Sequence, residues 1–116
     1  MIKKRVWVVG LAAQVMIALV LLFAGQANAQ QASPATAEVK IDNFIFGPET
    51  LTVPVGTTVT WTNRDDIPHS VVSTDKVFKS KLLDKNETFS YTFAKAGTYP
   101  YFCSIHPKMT GKVVAR

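Results

Sequence analysis

Gly97-Thr98-Tyr99-Pro100-Tyr101-Phe102-Cys103-Ser104-Ile105-His106-Pro107-Lys108-Met109 is the stretch that decides how this chain is read. Its first half alternates: Tyr99, Tyr101 and Cys103 fall on one face, Pro100 and Phe102 on the other, the period of two that a β-strand imposes. Its second half carries Cys103, then His106 three positions on, then Met109 three on again. Cys103 is in phase with the two tyrosines, so its thiol points with the core at the end of a strand. Pro107 is expected to stop that strand, which leaves His106 and Met109 on a tight loop. A three-residue step spans no more than about 10 Å, so the three side chains reach one point if the loop curls.

The same period runs outward from this segment. Val39 and Ile41 alternate with Lys40 and Asp42, Leu51 and Val53 with Thr50 and Thr52. Val59 and Trp61 alternate with Thr58, Thr60 and Thr62, and Phe89, Tyr91 and Phe93 with Thr88, Ser90 and Thr92. Turn residues separate the runs at Gly47-Pro48 and Pro54-Val55-Gly56. An apolar face inward and a Thr/Ser face to solvent predict an all-β, antiparallel sandwich or barrel. Phe44, Phe46, Val59, Trp61, Phe89, Tyr91, Phe93, Tyr99 and Tyr101 are its expected core. No segment has a helical period. Val72 to Lys85 reads as a loop-rich crossing between the sheets, with Lys76, Lys79, Lys81 and Lys85 on a solvated face.

The chain's 116 residues suffice for one domain. Lys3, Lys4 and Arg5 precede an apolar run from Val6 to Phe23, broken by Gln14, and Ala27-Asn28-Ala29 follows. This is the pattern of a secretory signal peptide, residues 1–29, with cleavage expected after Ala29 and an uncleaved membrane anchor as the alternative. Residues 30–37 (QQASPATA) read as a flexible lead-in, and 38–116 as the domain. Cleavage removes three basic residues and lowers the net charge of +5 by three, too little to argue for nucleic acid or an anionic membrane. Export places the protein in the periplasm.

After that cleavage Cys103, His69, His106 and Met109 are every Cys, His and Met in the chain. Outside the cytoplasm a lone Cys is buried and inert, paired between chains, or held by a metal. His69 follows Arg64-Asp65-Asp66-Ile67-Pro68, a loop after the Trp61 strand, and two loops at one sandwich end bring it to Cys103. One thiolate and two imidazoles with a weak axial thioether suit one copper ion cycling between Cu(II) and Cu(I). Zinc takes a stronger fourth ligand, and hard cations take oxygen.

These residues give the chain its resemblance to a family. Trp61-Thr62-Asn63, Ile67-Pro68-His69 and Gly97-x-Tyr99-x-Tyr101-x-Cys103 followed by x2-His106-x2-Met109 resemble the small blue copper proteins, or cupredoxins. Within them the chain is most like the amicyanins, with plastocyanin and pseudoazurin as neighbours. The resemblance implies a Greek-key sandwich of about eight strands and electron carriage without substrate turnover. It implies that the Asn63 backbone N–H donates to the Cys103 sulfur and that its side chain reaches Ser104. Amicyanin-like loops often have proline where this chain has Ile105, so Ile105 could offer a second N–H to the sulfur and raise the potential. The family analogy makes His106 the ligand whose edge reaches the surface, in an electron port of Ile67, Pro68, Ile105 and Pro107.

The expected partners are transient redox proteins, a dehydrogenase donor and a c-type cytochrome acceptor in amicyanin-like systems. The protein is expected to be a monomer, with no nucleic acid and no small-molecule substrate. Copper storage or delivery would use the same ligands. A Cys–His hydrolase would leave Met109 unexplained.

Overall fold

The structure, a computed structural model, describes residues 35–116. The expected signal segment and the first part of the expected lead-in lie outside the described residues. Eight strands form two four-stranded sheets. One holds β2 (Ile45–Gly47), β1 (Thr36–Asp42), β4 (Thr58–Asn63) and β6 (Thr88–Thr92), in that order. The other holds β3 (Thr50–Val53), β8 (His106–Ala115), β7 (Gly97–Cys103) and β5 (Val72–Ser73). Among the described residues there is no helix. The expected all-β sandwich of eight strands is the fold.

Two details differ from the sequence reading. β1·β4 and β3·β8 pair in parallel, whereas β1·β2, β4·β6, β5·β7 and β7·β8 are antiparallel. Alternation reports which face is buried and is the same for either direction, so it could not distinguish them. β1 also begins at Thr36, inside the expected lead-in, because Thr36 and Ala37 pair with Thr58 and Val59.

Alternation sets the core. β4 sends Val59, Trp61 and Asn63 inward, β7 sends Tyr101 and Cys103, and β8 sends Met109, Val113 and Ala115. Trp61 lies at the centre, with ring centroids 5.4 Å from Tyr101 and 5.7 Å from both Phe78 and Phe89. On the outer face the register sets Thr58 against Thr92 and Thr60 against Ser90, and each pair shares a hydroxyl hydrogen bond of 2.7 Å. Such cross-strand pairs pin register where no burial does. Gly111 on β8 is required by close approach: a Cβ there would lie 2.5 Å from the Tyr101 hydroxyl oxygen. Of the expected core, Phe46, Val59, Trp61, Phe93 and Tyr101 are buried, and Phe89, Tyr91 and Tyr99 pack against them half-buried. Phe44 is the exception, at 43% exposed.

The chain crosses from β4 in one sheet to β5 in the other and back to β6. The long return is irregular, as expected, and is tied down by bridges between Val72 and Lys79 and between His69 and Leu83. Within it Lys81 meets Glu87 at 3.5 Å and Lys85 meets Asp66 at 2.7 Å, exposed pairs worth little to stability.

Candidate metal centre

Cys103 ends β7 and His106 opens β8, and the two are ladder partners across the Ser104–Ile105 turn. The expected loop is therefore a hairpin. Pro107 does not stop a strand but sits as the second residue of one, because a strand's first positions tolerate a missing N–H. His69 comes from the β4–β5 loop. Its own N–H donates to Leu83 O at 3.1 Å and its carbonyl accepts from Leu83 N at 2.7 Å. The ring is fully buried.

These elements bring three donors together. Cys103 Sγ lies 3.8 Å from His69 Nδ1 and 3.6 Å from His106 Nδ1, and all three atoms fall within 4.8 Å of one another. An ion about 2 Å from nitrogen and about 2.3 Å from sulfur in trigonal geometry spaces those donors by about 3.7 Å, so the cluster fits one small ion. Both imidazoles aim Nδ1 at the sulfur. Met109 is buried on the same strand as His106, and the two line one shallow apolar depression with Phe44, Pro107 and Lys108. Soft thiolate and thioether with two imidazoles select copper over zinc or a hard cation.

The loop's polar contacts correct the roles expected of Asn63 and Ile105. The Asn63 backbone N–H donates to Glu87 O at 3.1 Å. Its side-chain amide donates to Ile67 O at 3.0 Å and Leu83 O at 2.9 Å, and Oδ1 accepts from Asp65 N at 2.9 Å. Asn63 thus shapes the His69 loop and does not reach the sulfur. The N–H that donates to Cys103 Sγ belongs to Ser70, at 3.4 Å, because Ser70 directly follows His69 on the inward turn. The Ser70 hydroxyl accepts from Ser104 N at 2.8 Å and shares a 2.7 Å bond with Ser104 Oγ. Among the described residues Ile105 N is not a donor to the sulfur; Ile105 sits in the turn with its side chain 46% exposed.

Two further residues stand at the site, neither of them expected there from the sequence: Asp65, and Phe44, which was expected in the core. Asp65 Oδ2 lies 2.8 Å from His69 Nε2. The carboxylate can only accept, so Nε2 carries the proton and Nδ1 keeps its lone pair toward the sulfur. Burial pushes the Asp65 carboxyl up, but N–H donation from Phe44 and Asn43 and the His69 ring outweigh it and bring it down to about 2. Phe44 stands edge-on to both imidazoles, with centroids 5.1 Å from His69 and 5.0 Å from His106. The signal for both was faint: an Asp four positions before a His, and an Asn43 that marks a turn just ahead of an aromatic.

Around the half-buried His106, Pro107 and Ile105 are exposed; Ile67, on the His69 loop, is 43% exposed and Pro68 half-buried.

Fold and donor set together define a β-sandwich of the type that carries one copper ion between two histidines and a cysteine. Residues 15–115 match the family described as a cupredoxin-like domain, and the chain belongs to that family. It is 39% identical over 99 residues to amicyanin-alpha of Methylorubrum extorquens, covering 80% of this chain and 83% of that one. It is 46% identical over 69 residues to the amicyanin of Paracoccus denitrificans, covering 55% of this chain and 53% of that one. A solved amicyanin variant in its Cu(I) form superposes with a TM-score of 0.66 at 40% identity, covering 76% of this chain and 88% of that one. Copper is the cofactor of such proteins, and His69, Cys103, His106 and Met109 form the candidate copper site.

Proposed function

We propose that this protein is a single-electron carrier, in which Cys103, His69 and His106 hold one copper ion with Met109 as a weak fourth ligand. The observation that carries the reading is the convergence of Sγ and two Nδ1 atoms within 4.8 Å on elements held by the sandwich's own ladders and bridges. Bound copper supplies one-electron chemistry between Cu(II) and Cu(I). The chain's contribution is constancy. Cys103 and His106 are held by ladder pairing, His69 by its bridge to Leu83 and by Asp65, and Ser70 N–H stabilises the thiolate. Donors fixed in this way need little rearrangement when the charge changes.

His69 is buried and His106 reaches the surface, so His106 is the route of the electron, through a port of Ile67, Pro68, Ile105 and Pro107 to which Phe44 contributes. Small apolar patches of this kind suit brief redox encounters. A dehydrogenase donor and a c-type cytochrome acceptor are the partners proposed, by likeness to the amicyanins. The periplasm is the proposed location, with residues 1–29 as the cleaved signal.

Visible and EPR spectra of the Cu(II)-loaded protein test the reading. An intense thiolate-to-copper band with narrow hyperfine splitting, lost in Cys103→Ser, is the expected result, together with reversible one-electron exchange. A colourless protein, or one that surrenders its copper to an apo-acceptor without exchanging electrons, overturns it in favour of storage or delivery.

A further inference from the structure

We propose that Asp65 is a positioning residue for the metal centre: one carboxylate fixes the His69 imidazole and, through the Asn43–Phe44 turn, the aromatic ring that stands against both histidines. The inference rests on the reading of His69 as a copper ligand.

Three donors converge on Asp65. Asn43 N–H donates to Oδ1 at 2.7 Å, Phe44 N–H donates to Oδ2 at 3.0 Å, and His69 Nε2 donates to Oδ2 at 2.8 Å. The carboxylate is itself anchored, because Asp65 N–H donates to the buried Asn63 Oδ1. A line of hydrogen bonds therefore runs from the buried end of β4 to the surface turn between β1 and β2.

That turn needs an external hold. Asn43 has φ 51° and Phe44 φ 61°, both left-handed. Asn tolerates this region, but a bulky Phe is disfavoured there and stays only where its surroundings impose it. Both amides of the turn end on Asp65, and the conformation they enforce presents the Phe44 ring to His69 and His106. At a second remove the same carboxylate makes His69 a better ligand: it settles the tautomer and fixes the ring's orientation, with Nδ1 toward the sulfur.

The chemistry calls for Asp and not Asn. Two accepting oxygens serve donors on both sides. An amide offers one oxygen and turns an NH₂ group against either the Asn43 N–H or the pair formed by Phe44 and His69. Glu keeps both oxygens and the charge but places them one methylene further out.

The test compares the wild-type chain with Asp65→Asn and Asp65→Glu. NMR of the metal-free protein at pH 8 reads the His69 tautomer and the exchange of its Nε2–H. Titration with copper ion and voltammetry of the loaded protein read affinity and potential. In Asp65→Asn we expect faster Nε2–H exchange, Cu(II) affinity lower by about 10- to 100-fold and a higher potential, with part of each recovered in Asp65→Glu. Wild-type exchange, affinity and potential in Asp65→Asn, with only a lower melting temperature, overturn the proposal. If Asp65→Asn does not fold, Asp65→Ser, which also lacks the carboxylate, decides: exchange, affinity and potential all at wild-type values overturn it. Wild-type Cu(II) affinity in His69→Ala instead overturns the ligand assignment, an outcome the metal-free NMR measurement distinguishes from failure of the clamp.

Discussion

Ser70 Oγ lies 2.7 Å from Ser104 Oγ, and the backbone N–H of the same Ser70 points at Cys103 Sγ from 3.4 Å. One small residue thus ties the His69 loop to the hairpin that carries Cys103 and His106. The hydroxyl does the tying and also lies 3.9 Å from the sulfur, while the amide donates to the sulfur from the shorter distance.

Ser70→Ala removes the tie and the longer, hydroxyl contact to the sulfur and spares the shorter one from the amide. The variant keeps the N–H toward the sulfur and leaves Ser104 N without its acceptor. We expect a loss of about 1–3 kcal/mol in the stability of the metal-free protein, about 0.5–1.5 kcal/mol for each of the two hydrogen bonds to Ser104 that are lost, while the copper-loaded protein keeps its colour. Denaturant melts and visible spectra of the pair check this.

Acid stability reports on Asp65. Against the upward push of burial, hydrogen bonds from Phe44, Asn43 and His69 bring its carboxyl down from the ordinary 3.8 to about 2 in the fold. Its ionised form is therefore favoured by folding, and the stabilisation is complete above about pH 4 and is lost as the pH falls toward 2. Metal-free wild type should lose stability more steeply across that window than Asp65→Asn, which has no such proton to bind. Urea melts at a series of pH values check this; parallel curves contradict it.

Tyr101 gives the alkaline counterpart. Burial pushes its phenol up to about 12, the Glu49 carboxylate adds to this and the Trp61 indole opposes it. The neutral form is favoured by folding, so a penalty absent below pH 10 builds between pH 10 and 12. Its hydroxyl is buried and has no hydrogen-bond partner among the described residues. Tyr101→Phe should leave stability at pH 7 unchanged or higher, by up to about 1 kcal/mol, and should flatten the alkaline limb. Gly111→Ala, which sets a methyl against that ring, should destabilise by about 1–3 kcal/mol. Thermal melts of the two variants give the comparison.

Phe44 carries opposed contributions. Its left-handed backbone costs roughly 1–2 kcal/mol, and its edge contacts to the imidazoles return about 0.5–1.5 kcal/mol. Phe44→Gly should leave stability within about 1 kcal/mol of wild type, whereas Phe44→Ala, which loses the ring and keeps the unfavourable φ, should be the less stable of the two. Chemical denaturation of both variants decides the order.

Period-two runs made the two sheets legible, since Thr58 to Asn63 and Gly97 to Cys103 each show one buried face. The donors were legible because so few Cys, His and Met occur between residues 30 and 116. Strand direction was not, as parallel and antiparallel neighbours share one pattern. Pro107 misled: taken as a strand breaker, it turned a hairpin into a loop. Phe44 was read as core because it lies between Ile41 and Phe46, when the turn at Asn43 rotates it out to the metal centre. Ser70 makes the contact to sulfur expected of Asn63 because hydrogen-bond partners depend on which way a loop turns, and spacing along the chain does not record that.

Cys103 and His106 face each other as neighbours in a ladder, joined by only Ser104 and Ile105. Substitution at the exposed Ile105 can change surface shape and polarity beside the sulfur while the Ser70–Ser104 tie and the backbone frame stay put. The hairpin tip is therefore where descendants of this sequence can vary in colour, potency as an oxidant and choice of companion without having to reinvent the scaffold.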